Sequence, residues 1–182
     1  MNFVQPIRDT GLVQDIAAYF RRNNERDYIM FLFGIYTGRR ISDILKLKVR
    51  DVKNKDYLNI RETKTGKHIT LEINPVLKRE LQVYLKDKDP DDYIFKSRQE
   101  YNKPVDRTTA YKLLNKATKL FGLENIGTHT LRKTFGYHFY KQTGDVVTLM
   151  EIFNHSHPSV TLRYIGINQE TMNEAIKKFK IY

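Results

Sequence analysis

Apolar positions recur every three or four residues at Leu12, Ile16, Tyr19 and Phe20, the spacing of an amphipathic helix. A denser apolar run, Tyr28–Tyr36, predicts a second helix that Gly38 breaks, and Ile41, Ile44, Leu45 and Leu47 open a third. Then the period changes. Tyr57–Arg61 and His68–Ile73 read as two short strands joined by a tight turn at Thr63–Lys67, with Gly66 available for positive φ. Asn74 and Pro75 start the next helix, whose expected buried stripe is Val76, Leu77, Leu81, Tyr84 and Leu85. An acidic, exposed stretch follows at Asp87–Asp92.

The second half reads as helical. Thr108–Phe121 is amphipathic through Tyr111, Leu113, Leu114 and Ala117 and ends at Gly122. Thr128 is the expected cap of a helix running to about Gln142, with Gly144 beyond it. Shorter helices are expected at Val146–Phe153 and around Val160–Tyr164, and a last one at Gln169–Phe179 with Met172, Ala175, Ile176 and Phe179 on one side. No repeat, low-complexity tract or linker divides the chain, so the expectation is one domain, mainly α with a small antiparallel β-hairpin.

Composition narrows the class. The 182 residues carry 32 Lys and Arg against 21 Asp and Glu, a net charge of +11. The excess is uneven: residues 51–100 are nearly balanced, whereas residues 101–150 hold 8 basic against 3 acidic side chains. A concentrated excess fits a basic face that seeks a polyanion. The absence of cysteine removes disulfides, thiol nucleophiles and cysteine-ligated metals. No apolar run approaches the ~20 residues of a membrane span, and Met1–Arg8 does not read as a signal peptide. A soluble intracellular domain that seeks a polyanion and not a membrane is the expectation.

Five local features could carry chemistry. Thr37-Gly38-Arg39-Arg40 leads into a helix start, where an arginine fork can meet a phosphate. Lys64 stands on the hairpin tip, able to donate a proton to an alkoxide leaving group or simply to solvate the turn. His129 and Arg132 are three residues apart and share a helix face. Asn154-His155-Ser156-His157 invites a metal reading with His129 or His138, but no carboxylate lies at a familiar ligand spacing. Tyr164, one of twelve tyrosines, follows His155 by nine residues.

Taken in order, Arg40, Lys64, His129, Arg132, His155 and Tyr164 resemble the active site of the tyrosine recombinases, the phage integrase family. Thr37-Gly38-Arg39-Arg40-Ile41-Ser42-Asp43 matches that family's first arginine segment, His129-x-x-Arg132 its His-x-x-Arg pair, and Asn154-His155-Ser156 its Gly-His-Ser segment. The resemblance runs from about residue 10 to the end. It departs at Asn154, where the family has glycine, and at Arg39, a second arginine beside the expected one.

The resemblance implies metal-free and cofactor-free DNA cleavage and rejoining through a 3′-phosphotyrosyl intermediate. Tyr164 is then the nucleophile, Arg40 and Arg132 the phosphate clamp, and Lys64 the acid for the leaving 5′-oxygen. His129 assists the tyrosine proton, His155 orients the phosphate, and Asp43 buttresses an arginine. It further implies a single catalytic domain, 1–182, without the family's N-terminal core-binding domain. A tail helix in 168–182 is expected to dock in cis or on a neighbour in a tetrameric synapse on double-stranded DNA. A type IB topoisomerase and a catalytically silent DNA-binding accessory domain are the alternatives.

Overall fold

The computed structural model describes residues 4–181; the ends of the expected domain, 1–3 and 182, lie outside the described residues. Nine helices and one hairpin are present among those residues: α1 Thr10–Asn23, α2 Glu25–Thr37, α3 Ile41–Ile44, β1 Tyr57–Arg61, β2 His68–Glu72, α4 Pro75–Tyr84, α5 Arg107–Leu120, α6 Thr128–Thr143, α7 Val146–Phe153, α8 Pro158–Ile165 and α9 Ile167–Lys178. The mainly α fold with one antiparallel hairpin is as the periodicity predicts. No helix among them is long and apolar enough to cross a membrane.

α2 is the axle. Its residues from Asp27 to Gly34 are all buried, as a helix apolar on every side requires. It packs against α1, α4 and α6 in the larger hydrophobic cluster, where Phe33 meets Phe95 edge-on at 5.8 Å. A Cβ at Gly34 would come within 2.5 Å of Leu131, so the bare glycine is what lets α6 lie this close. A smaller cluster of Tyr137, Leu149, Phe153 and Ile165 joins α6, α7 and α8. Residues 4–8 strap the outside of α6: the Ile7 amide donates to Thr134 Oγ1 at 2.9 Å, and its carbonyl lies 2.9 Å from His138 Nε2.

β1 and β2 pair in register from Tyr57–Glu72 to Arg61–His68. Only β1 buries a face, through Leu58 and Ile60. The hairpin therefore rests on the body by one strand and projects its tip.

Four expectations need correction. The third helix is one turn, Ile41–Ile44, and Leu47 lies beyond it in a turn although still buried. Val76 is 38% exposed, because Leu77, Leu81 and Leu85 complete the inward stripe and Val76 falls beside it. Tyr111 is likewise on the outer side of α5, 46% exposed. Gly127 and not Thr128 holds the cap position of α6, and its amide donates to the Thr130 hydroxyl at 3.1 Å.

Gly136 sets the spacing of the smaller cluster, since a Cβ there would meet Ile165 and Phe153 at 2.7 Å. Gly136→Ala is expected to lower stability by about 1–3 kcal/mol in urea unfolding, the cost of overpacking a filled core. An open helical glycine would instead gain about 1 kcal/mol from the same change.

Candidate active site

The site forms where the two clusters meet. Gly38 ends α2 in the left-handed conformation, φ 60°, and turns the chain so that Arg39 and Arg40 diverge. Arg39 goes inward: it is 1% exposed and donates to the Glu62 carboxylate at 3.3 Å and to the Ile152 carbonyl. Arg40 goes outward to a cleft of about 440 Å³ lined also by Ser42, Lys64, Arg107, Thr128 and His129. Its guanidinium lies 2.8 Å from the same Glu62 oxygen. Arg40, the position that matches the family motif, is thus the arginine at the cleft, while Arg39 is internal scaffold.

Glu62 is the candidate site residue that sequence reasoning missed. It is 2% exposed, bridges both arginines and accepts from Thr65 Oγ1 at 2.7 Å. Its signal was its phase: it follows Leu58 and Ile60 at period two, so a carboxylate stood where the strand points inward. Asp43, expected to buttress an arginine, is buried and supports Arg39 through its charge, and it also accepts the Thr63 amide at 3.0 Å and so holds the hairpin tip. Lys46 adds a bond to Thr63 Oγ1 at 3.1 Å. Lys64 is left exposed on that tip.

From the other side come α6, α7 and α8. Arg132 is 2% exposed and spans the seam, donating to the Gly38 carbonyl at 2.6 Å and the Phe153 carbonyl at 2.8 Å. Its guanidinium carbon also lies 4.2 Å from the centre of the Phe153 ring. His129 Nδ1 is 3.3 Å from Tyr164 Oη. His155 packs edge-on against Tyr164 with ring centres 5.2 Å apart, and its Nδ1 sits 3.0 Å from Thr161 Oγ1. Lys133 caps the far face of the tyrosine ring at 5.0 Å.

Of the histidines weighed as metal ligands, His129 and His155 meet at Tyr164, while the other two are turned to different partners. His157 caps α8 by accepting the Ser159 amide at 3.2 Å, and His138 is turned to the Ile7 carbonyl. Among the described residues no three His, Asp or Glu side chains gather as a metal-binding group.

The electrostatics follow from three crowded arginines and two buried carboxylates, Glu62 and Asp43. Burial first, then Arg132, pulls Arg39 down to about 10. Burial works to raise Glu62, but the Thr65 hydroxyl and the arginines outweigh it and hold the carboxyl below its ordinary range. His129 and His155 are both lowered, by burial and then by Arg132. Both imidazoles are accordingly neutral near pH 7, and a neutral ring can accept a proton. Burial raises Tyr164, with Arg132 opposing. The tyrosine is therefore protonated at neutral pH and needs a base to become a nucleophile.

Similarity to known proteins agrees with this geometry. The chain is 50% identical over 179 residues to the probable integrase/recombinase YoeC of Bacillus subtilis, covering 98% of each. It is 32% identical over 162 residues to the tyrosine recombinase XerA of Pyrococcus horikoshii, covering 87% of this chain but only 56% of that one. The fold superposes on a crystal structure of XerA recombinase with a TM-score of 0.76 at 21% identity, over 98% of this chain and 67% of that one. A lambda integrase dimer bound to a core site gives 0.70 at 19% identity, over 89% and 47%. Nothing in these similarities supports the topoisomerase reading. Residues 11–171 match the phage integrase family, and the chain belongs to that family, the tyrosine recombinases.

Proposed function

We propose that this protein is a site-specific DNA recombinase that cuts and rejoins strands through Tyr164. The supporting observation is the seating of the Tyr164 hydroxyl 3.3 Å from a neutral imidazole, within reach of Arg132 and beside the cleft that holds Arg40. Tyr164 Oη attacks the scissile phosphorus and gives its proton to His129 as the bond forms. The phosphorus–O5′ bond breaks, the strand end stays on the tyrosine as a 3′-phosphodiester, and Lys64 protonates the departing 5′-oxygen. Arg40, Arg132 and His155 hold the non-bridging oxygens, supplying the charge stabilisation that carries phosphoryl transfer. Rejoining is the same step reversed by a 5′-hydroxyl, so no energy source is consumed.

The net charge of +11 and the basic cleft favour double-stranded DNA as partner. The solved XerH recombinase with a similar fold is bound to its difH DNA substrate. We read the tail as an element that acts between protomers. None of α9 is buried, and Met172, Ile176, Phe179 and Ile181 are 53–84% exposed. Beside the start of α9 runs an open groove of about 850 Å³ with Tyr140, Leu162 and Ile167 on its walls. An apolar tail next to an apolar groove suits exchange between copies in a tetrameric synapse on DNA.

Three sets of outcomes are expected. On a nicked suicide duplex the protein forms a covalent adduct on a denaturing gel that Tyr164→Phe abolishes; an adduct surviving that change sinks the mechanism. Lys64→Ala slows cleavage of the normal duplex but is rescued by a 5′-thio leaving group, which needs little protonation.

The second concerns pH. A histidine lowered in the folded state takes up its proton more readily when unfolded, so folding stability falls as pH drops through the ordinary value of 6.5. Urea midpoints measured between about pH 7.5 and 5.5 should decline, and His155→Asn should flatten that decline. An unchanged slope in the variant refutes the buried neutral imidazole.

Third, removing residues 168–182 should leave monomer unfolding unchanged while abolishing DNA-dependent assembly in sedimentation. Unfolding of the shortened monomer would show docking in cis.

A further inference from the structure

The hairpin tip is bolted to the body at two places. One lies beneath it, where Asp43 accepts the Thr63 amide and Glu62 meets the arginines. The other reaches across the site: Lys67 Nζ donates to Asn154 Oδ1 at 2.6 Å, joining residues 87 apart in sequence.

Asn154 is unusual in two respects. It ends α7 in the left-handed conformation, φ 53° and ψ 48°, which asparagine tolerates better than other side-chain-bearing residues. It also offers a carbonyl that glycine, the residue the family motif has here, lacks. Lys67 completes the helix end by placing a cation where the dipole of α7 is negative. His155, which packs on Tyr164, is the next residue.

We infer that the Lys67–Asn154 hydrogen bond is a latch fixing the hairpin tip over the phosphate site, making both residues positioning residues for proton delivery by Lys64. The inference rests on Lys64 being the acid. A two-stranded hairpin is marginal alone, and β2 only half-buries Ile69 and Leu71, so the pose of the tip depends on such side-chain bolts. Between Lys64 and Lys67 lie only Thr65 and Gly66, and a shift at one lysine carries to the other.

The test is single-turnover cleavage of suicide duplexes with a 5′-oxygen or a 5′-thio leaving group, at saturating DNA. Lys67→Ala, Asn154→Gly, the double variant and Lys64→Ala are compared with the parent protein. Asn154→Gly is compatible with the left-handed backbone and preserves the fold. Each single latch variant is expected to slow the oxygen duplex about tenfold to a hundredfold, the scale of an ångström of misplacement. The double variant should be no slower than the poorer single one, and the thio duplex should erase every deficit. Asn154→Asp, which keeps the acceptor, should recover part of the loss.

Additive losses, or losses that persist on the thio duplex while Lys64→Ala is rescued, overturn the latch and leave the acid assignment standing. A normal rate for Asn154→Gly beside a slow Lys67→Ala also overturns it, since Lys67 would then act directly. Failure of the thio duplex to rescue Lys64→Ala overturns the acid assignment and the latch with it.

Discussion

Everything in the site hangs on the way two buried guanidiniums finish the C-terminus of α7. The last carbonyls of a helix have no partner within it. Here Arg39 donates to the carbonyl of Ile152 and Arg132 to that of Phe153, and the same Arg132 reaches back to Gly38 at the end of α2. These bonds cross between the larger cluster around α2 and the smaller one around Phe153. Hydrophobic packing holds each cluster together; directional charge-assisted bonds fix one against the other. Taking one partner from a buried ion pair costs about 3–5 kcal/mol, a large share of the roughly 5–15 kcal/mol that holds a domain folded. Glu62, buried between Arg39 and Arg40, is the counter-charge that makes the burial of Arg39 tolerable.

One electrostatic arrangement then serves two ends. Arg39 and Arg40 share the Glu62 carboxylate and Arg132 has no ion pair among the described residues, so the cleft carries positive charge that its lining residues do not neutralise. That surplus suits a phosphodiester. It also contributes, after burial, to keeping His129 and His155 deprotonated. In the proposed mechanism this keeps the neighbouring imidazole neutral and so free to take the tyrosine proton. The same charges oppose the effect of burial on Tyr164 and favour its anion once the proton has gone.

Much of this was legible in the chain, and the gaps have physical causes. Helices and hairpin follow from period and the six motif residues from the family resemblance, and the structure gathers Arg40, Arg132, His129, His155 and Tyr164 around one seam. Contacts between distant segments were not legible. Nothing local distinguishes Arg39 as internal from Arg40 as facing the cleft; the turn at Gly38 decides it. Nor does sequence alone choose between Asp43 and Glu62 as the arginines' partner, because that depends on where β1 ends over α3. Glu62 left a trace in its strand phase, whereas the bond between Lys67 and Asn154 left none. The tail stripe was visible, but its exposure among the described residues was not.

In-line displacement demands that nucleophile and leaving-group acid approach the phosphorus from opposite sides. No single helix can present both, so they must come from separate elements. Here Tyr164 belongs to α8 in the smaller cluster, and Lys64 to a hairpin carried by the larger one. Their separation is set by what spans the seam: the two guanidiniums below and the Lys67–Asn154 bond at the rim. The lower bonds are buried and rigid, while the rim bond is exposed and easily exchanged for water. If entry of DNA adjusts this site, the hairpin tip is the part that yields, because exposed bonds to Asn154 and Lys46 hold it beside the single bond to Asp43.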